Sequence, residues 1–102
     1  MKQISHGIPK SNFFCIALPE NSLSKFERIN NNEVIELKDP KTEDIIKAEI
    51  HDIWTYPIHF LPDSLSKLAY GITGSQLQNV MLKRYTEFNK IQNVEYILLK
   101  KI

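Results

Sequence analysis

The stretch from Val34 to Gly71 most constrains the fold, because it alternates as a strand does, turns, alternates again and then meets two prolines. Residues 34–38 and 45–54 predict the two strands of a hairpin, joined by the polar loop 39–44. The alternation breaks after Asp52, which predicts a bulge that redirects the second strand.

The second strand of this hairpin has two contrasting faces. One face is apolar and predicts burial, whereas the other is polar and ionisable. The apolar residues are Ile46, Ala48 and Ile50, and the polar residues are Lys47, Glu49 and His51.

The segments on either side of the hairpin complete the order of elements. Residues 13–18 are apolar and aromatic, which favours a buried strand, and 94–99 predict the last strand. Asp63 or Ser64 is expected to cap a short helix that Gly71 ends, with Leu65 and Leu68 facing inward.

A second helix is predicted to begin with the capping box Thr73–Gln76 and to carry an apolar stripe as far as Phe88. Asn30–Asn32 predict a turn, since asparagine tolerates positive φ. Leu23–Ile29 fits either a helical turn or a strand.

This order predicts an α+β fold, a small curled sheet or β-barrel with two or three flanking helices. The length of 102 residues suits one domain, 1–102, with a weakly ordered N-terminal arm at about 1–12. Its predicted core residues are Phe14, Ile16, Ile35, Leu37, Ile46, Ala48, Ile50, Trp54, Leu65, Leu68, Leu77, Val80, Met81, Tyr96 and Leu98.

Composition and charge exclude several classes of protein. The single cysteine, Cys15, excludes an internal disulfide and a cysteine-based zinc site, and its apolar setting favours a buried, inert thiol. Without disulfides, a signal peptide or a membrane-length apolar run, a cytoplasmic location is expected.

The net charge of +1 hides a gradient along the chain, because residues 20–52 carry nine acids and five bases while 53–102 carry six bases and three acids.

The polar face of the second strand is the best candidate for chemistry. Lys47, Glu49 and His51 could bind or act on a phosphate, but a solvated polar row opposite a buried row explains the same pattern and is favoured. His59 and His6 lie outside any standard ligand spacing, so neither a metal nor a cofactor is expected.

An aromatic cluster follows at the end of the same strand. Trp54, Tyr56 and Phe60 are suited to stacking on an unpaired base. In a domain of this size, packing between the sheet and a helix is the more common role for such rings.

From Ile46 to Gly71 the sequence IKAEIHDIWTYPIHFLPDSLSKLAYG resembles the middle of PUA-like domains, especially the ASCH (activating signal cointegrator homology) branch. There, a strand of the form x-A-x-V-x-D-I leads to a leucine-proline corner and a short helix. The preceding NNNEVIELKDPKTEDII and the closing VEYILLKK resemble the hairpin and last strand of that barrel. The ASCH signature G-x-K-x-x-E-x-R is absent, so the family's site residues have no counterparts here.

The resemblance implies a small β-barrel associated with RNA or modified nucleosides. Together with the basic C-terminal half it predicts a non-enzymatic module that binds RNA or a nucleotide. The alternatives are a small hydrolase acting on nucleosides or RNA and a protein-interaction domain. No membrane partner is expected for any of these functions. The expected nucleic-acid surface comprises Lys47, His51, Tyr56, Lys83 and Arg84.

Overall fold

A five-stranded mixed sheet and two helices form an α+β fold in the computed structural model, which describes residues 2–20, 30–84 and 93–102. The strand order is β1-β3-β4-β5-β2 and the sheet is not closed. Only β1 and β3 pair in parallel among the described strands. The elements are β1 (Gln3–Ser5), β2 (Phe13–Pro19), β3 (Val34–Lys38), β4 (Ile45–Pro57), α1 (Asp63–Tyr70), α2 (Gly74–Arg84) and β5 (Asn93–Lys101).

One face of the sheet, here called the inner face, carries buried apolar side chains from all five strands. Because the two edge strands β1 and β2 both contribute to one buried cluster, the sheet must curl so that its edges approach each other. The curled sheet predicted from the sequence is confirmed at this level. The buried members of the inner cluster are Ile4, Phe14, Ile16, Leu18, Ile35, Leu37, Ala48, Ile50, Ile97 and Leu99.

A β-bulge at His51 changes which residues of β4 face inward. Ile50 pairs with Leu99 and Asp52 with Leu98, so two steps along β4 match one step along β5. Before the bulge Ala48 and Ile50 point inward, whereas after it Ile53 packs on the inner cluster. The bulge predicted near Asp52 is therefore confirmed.

The opposite, outer face of the sheet is partly covered by the helices. Leu77 and Met81 of α2 and Ile58, which follows β4, pack there on Tyr96 and Val94 of β5. The buried Ser66 hydroxyl lies 2.8 Å from the Tyr96 hydroxyl and donates to Pro62 O. Burial raises the pKa of Tyr96 above its ordinary value, and the bond to Ser66 partly opposes that shift.

The ends of the helices follow sequence rules only in part. Pro62 occupies the N-cap of α1 with no side-chain cap, so the cap predicted at Asp63 or Ser64 is wrong. The Asp63 carboxylate instead accepts a hydrogen bond from Gly74 N, at 2.7 Å, and ties the start of α2 to α1. Gly71 ends α1 with φ 70°, as predicted.

The predicted capping box of the second helix is confirmed. Thr73 Oγ1 accepts from Gln76 N at 3.2 Å, while Gln76 Oε1 accepts from Thr73 N at 2.9 Å. Asn32 takes a φ of 67° in the turn before β3, which agrees with the prediction at Asn30–Asn32. The predictions at Leu23–Ile29 and Phe88 lie outside the described residues.

Two predicted core residues are wrong, both on helices. Leu68 is 56% exposed and Val80 is 48% exposed. In α1 the small side chain of Ser66 faces the sheet and bonds to Tyr96, with Leu65 and Ala69 packed on the same cluster, so Leu68 lies on the side of the helix that faces away from the sheet. The remaining predicted core residues are buried or half-buried.

The N-terminal segment contributes a strand that the sequence pattern does not predict. Gln3–Ser5 pairs with Glu36–Lys38, and Ile4 inserts into the inner cluster. Residues 6–12 have no regular structure. In the part of the chain that is described, no helix is long and apolar enough to cross a membrane.

Candidate outer-sheet binding patch

The helices leave one half of the outer face open, and five neighbouring side chains of β2, β4 and β5 lie there, next to Glu36 of β3, which pairs with Lys47. Strand alternation places them on the face opposite the inner cluster, beyond the residues that the helices cover. We call this set the outer-sheet patch. It consists of Phe13, Lys47, Glu49, His51 and Lys100.

Strand register brings three of these residues into one row. Lys100 on β5 pairs with Phe13 on β2 and with Glu49 on β4. Side chains on directly paired residues lie close enough to interact. The Lys100 side chain therefore stands between an aromatic ring and a carboxylate.

His51, the extra residue of the bulge, completes the patch. Its Nε2 lies 3.6 Å from Glu49 Oε1, and its ring meets the Phe13 ring edge-on with centroids 5.2 Å apart. The His51 and Glu49 side chains are 38% and 40% exposed, so water weakens this ion pair even when the imidazole is protonated. The bulge therefore places His51 beside the Phe13 ring on the open face and not inside an enclosed pocket.

The geometry of this patch suits binding better than catalysis. Lys47, Glu49 and His51 do share a face, as predicted. Their face is the outer side of the curled sheet, and none of them lines either of two clefts, of about 320 and 570 Å³, formed by described residues. General acid–base chemistry benefits from an enclosed site that excludes water, and this face is open.

The other predicted nucleic-acid residues lie elsewhere. Tyr56 is half-buried among the helix-covered residues and meets Tyr96 edge-on, with ring centroids 5.9 Å apart. Lys83 and Arg84 are exposed on the last turn of α2. Arg84 lines the cleft of about 320 Å³ together with His6, away from the outer-sheet patch.

The aromatic cluster predicted at the end of β4 is also divided. Trp54 and Tyr56 pack against the helix-covered cluster. Phe60 closes the turn after β4, where its N–H donates to Pro57 O, and its side chain is 78% exposed. Packing is therefore the role of two of the three rings.

Cys15 is buried under the helices, in agreement with the sequence-based interpretation. Burial raises the pKa of its thiol to about 11, so the reactive thiolate is scarce at neutral pH. Across residues 2–20, 30–84 and 93–102, no three His, Cys, Asp or Glu side chains cluster as metal ligands would.

Phe13 and Lys100 are the residues of the patch that the sequence pattern does not indicate, and Phe13 departs most from its prediction. Residues 13–18 suggest a strand buried on both faces, yet Phe13 is 47% exposed while the rest of that run is buried. Its position at the first residue of the strand, directly after polar Ser11 and Asn12, is the available signal.

Comparison of the chain with family models, with curated proteins and with solved structures finds no match in any of the three. The PUA-like and ASCH-like resemblance therefore stays a prediction from the sequence pattern. The function of the chain has to be inferred from the geometry of the fold.

Proposed function

We propose that this protein is a non-enzymatic module that binds single-stranded RNA or a nucleotide on its outer-sheet patch. The observation that carries the proposal is the exposed ring of Phe13, which lies on a sheet face beside Lys100 and in contact with His51. An aromatic ring on a sheet can stack an unpaired base, and nearby cations can contact the phosphates.

The charges on this face favour a nucleic-acid strand only moderately. Lys47 and Lys100 are exposed cations, whereas Glu49, which pairs with Lys100, and Glu36, which pairs with Lys47, are anions beside them. A patch of mixed sign supplies few phosphate contacts, so affinity should depend strongly on stacking and only moderately on salt. The openness of the patch favours binding over the hydrolase alternative.

Fluorescence polarisation with a labelled pool of short single-stranded RNA tests this proposal. Phe13→Ala should weaken binding about fivefold to a hundredfold, because stacking contributes ~1–3 kcal/mol per base. Phe60→Ala is the matched control, since it removes an exposed ring of the same type at another site and should leave affinity unchanged.

Lys100→Gln tests the electrostatic part of the same surface. Each phosphate contact that is lost should reduce the slope of log affinity against log salt by about 0.7 for a single strand. Equal effects of Phe13→Ala and Phe60→Ala, or a salt slope that Lys100→Gln leaves unchanged, would reject the outer-sheet patch as the RNA surface.

A further inference from the structure

Two opposite charges stand side by side on the outer-sheet patch without forming an ion pair. Lys100 of β5 pairs directly with Glu49 of β4, a register that brings side chains within reach of each other. Elsewhere Lys2 and Glu33 use the same two residue types to form an ion pair of 3.1 Å. No such bond joins Lys100 and Glu49 in the part of the chain that the structure describes. Both charged groups are therefore available to a ligand.

The Glu49 carboxylate also has unused hydrogen-bonding capacity. Its one polar contact within residues 2–20, 30–84 and 93–102 joins Oε1 to His51 Nε2 at 3.6 Å, which is too long for a good hydrogen bond. The side chain is 40% exposed on the open face. Because a carboxylate only accepts, Glu49 presents its oxygens to hydrogen-bond donors that lie on the patch.

The Glu49 carboxylate and the Phe13 ring lie at opposite ends of one row across the strands. Lys100 stands between them, so their backbones are two strand spacings, about 10 Å, apart. His51 contacts both ends, since its ring meets Phe13 edge-on and its Nε2 faces Glu49. A base that stacks on Phe13 and extends along the row therefore passes over Lys100 and brings its edge toward Glu49.

An anion in this position suits recognition of a base and not of the backbone. A carboxylate repels phosphates, whereas it accepts hydrogen bonds from donors on a base edge. Guanine presents two adjacent donors, N1–H and the N2 amino group, beside the acceptor O6. Adenine and cytosine present one amino group each, and uracil presents a single imino N–H. Two parallel bonds to one carboxylate are stronger and more specific than one, and an ammonium group beside the carboxylate matches O6.

We infer that the outer-sheet patch recognises a guanine base, with Phe13 stacked on the base, Glu49 accepting from N1–H and the N2 amino group, and Lys100 donating to O6. This inference rests on the proposed binding of single-stranded RNA, and it adds which base the patch selects. It also gives the mixed charge of the patch a role, since each sign meets its complement on one base edge.

Fluorescence polarisation with the labelled trinucleotides UGU, UIU, UAU and UCU tests the assignment. The four carry the same phosphates, and inosine (I) differs from guanosine only by the missing N2 amino group. UGU should bind about fivefold to thirtyfold more tightly than UAU and UCU, because hydrogen bonds to a charged group are the stronger kind. UIU should fall between them, since it keeps N1–H and O6.

Two carboxylates on the same face of the sheet supply a pair of variants. Glu49→Gln replaces one acceptor oxygen by a donor and should reduce the preference for UGU to less than about twofold. Glu36→Gln makes the same change beside Lys47, outside the row that contains Phe13, and should leave the preference intact. The amide spectrum of each variant confirms its fold.

The outcomes separate this inference from the proposed function. Equal affinity for UGU, UAU and UCU, or an equal loss of preference in Glu49→Gln and Glu36→Gln, would overturn the guanine assignment while RNA binding on the patch stands. Binding of the mixed RNA pool without binding of UGU would overturn it as well. Failure of both the pool and the trinucleotides to bind would reject the proposed function itself, and this inference with it.

Discussion

The inner and outer faces of the same sheet use the same strands in opposite ways. The inner face is filled by apolar side chains from all five strands, whereas the outer face is apolar over one half and polar over the other. The boundary on the outer face crosses β2, β5 and β4 between Phe13 and Cys15, between Lys100 and Leu98, and at the His51 bulge.

This difference separates what holds the fold together from what is available to a ligand. The residues of the inner cluster are buried, and those under the helices are buried or half-buried. The open half of the outer face is not required for core packing, so polar and aromatic side chains there are available for recognition. Stability and binding should therefore respond to different substitutions on one strand.

The largest expected effect compares two consecutive residues of β4. Ile50 is fully buried on the inner face and His51 is exposed on the outer face. Ile50→Ala should lower the free energy of unfolding by about 2–5 kcal/mol, since it removes apolar contacts and leaves a cavity. His51→Ala should change it by less than about 0.5 kcal/mol.

Chemical denaturation of the two variants and the wild type measures this contrast. The denaturation midpoint should fall strongly for Ile50→Ala and remain nearly constant for His51→Ala. Similar midpoints for both variants would mean that the two faces of β4 are not distinguished by burial, and the division of the sheet would be wrong.

A smaller effect tests the helix-covered half of the outer face. Ser66→Ala leaves the Tyr96 hydroxyl buried without its partner and should cost about 1–3 kcal/mol. Tyr96→Phe removes the hydroxyl itself while Ser66 keeps its bond to Pro62 O, so it should cost only about 0.5–1.5 kcal/mol. Thermal or urea unfolding compares them, and a larger loss in Tyr96→Phe would contradict the proposed arrangement.

The sequence predicts local features well where one strand or one turn determines them. The faces of residues 45–50, the bulge and the Thr73–Gln76 box each depend on neighbours along the chain, and each is confirmed. β1 is not predicted, because its three residues pair in parallel with residues of β3 that lie more than thirty positions later in the chain. No local pattern in the sequence indicates that pairing.

The candidate sites are less predictable because they join distant elements. Lys47, Glu49 and His51 are recognisable as one face, but Phe13 and Lys100 join them only through strand register. Leu68 illustrates the same difficulty in the core, since its exposure depends on the contact that Ser66 makes with Tyr96. The cleft of about 320 Å³ likewise brings Ser5 and Arg84 together across most of the chain.

The smallest expected effect concerns Asp39 at the β3–β4 turn, outside both faces of the sheet. Asp39 Oδ1 accepts hydrogen bonds from Lys41 N at 2.8 Å and Thr42 N at 3.4 Å, and Oδ2 lies 3.5 Å from Ile8 N. The hydrogen bond from Lys41 N contributes most, and together with those from Thr42 N and Ile8 N it holds the pKa of Asp39 below its ordinary value.

A carboxylate with a lowered folded-state pKa stabilises the fold at pH values above the unfolded-state pKa of about 3.9, and that contribution is lost as the pH falls through the lower, folded-state value. Asp39→Asn removes this titration, so the difference in stability between the wild type and the variant should shrink as the pH falls from 7 to 3. Ile50→Val is the control, because it changes only the inner face and its difference from the wild type should not depend on pH. Urea unfolding at several pH values measures both differences, and a constant gap for Asp39→Asn would show that the turn carboxylate does not contribute through its charge.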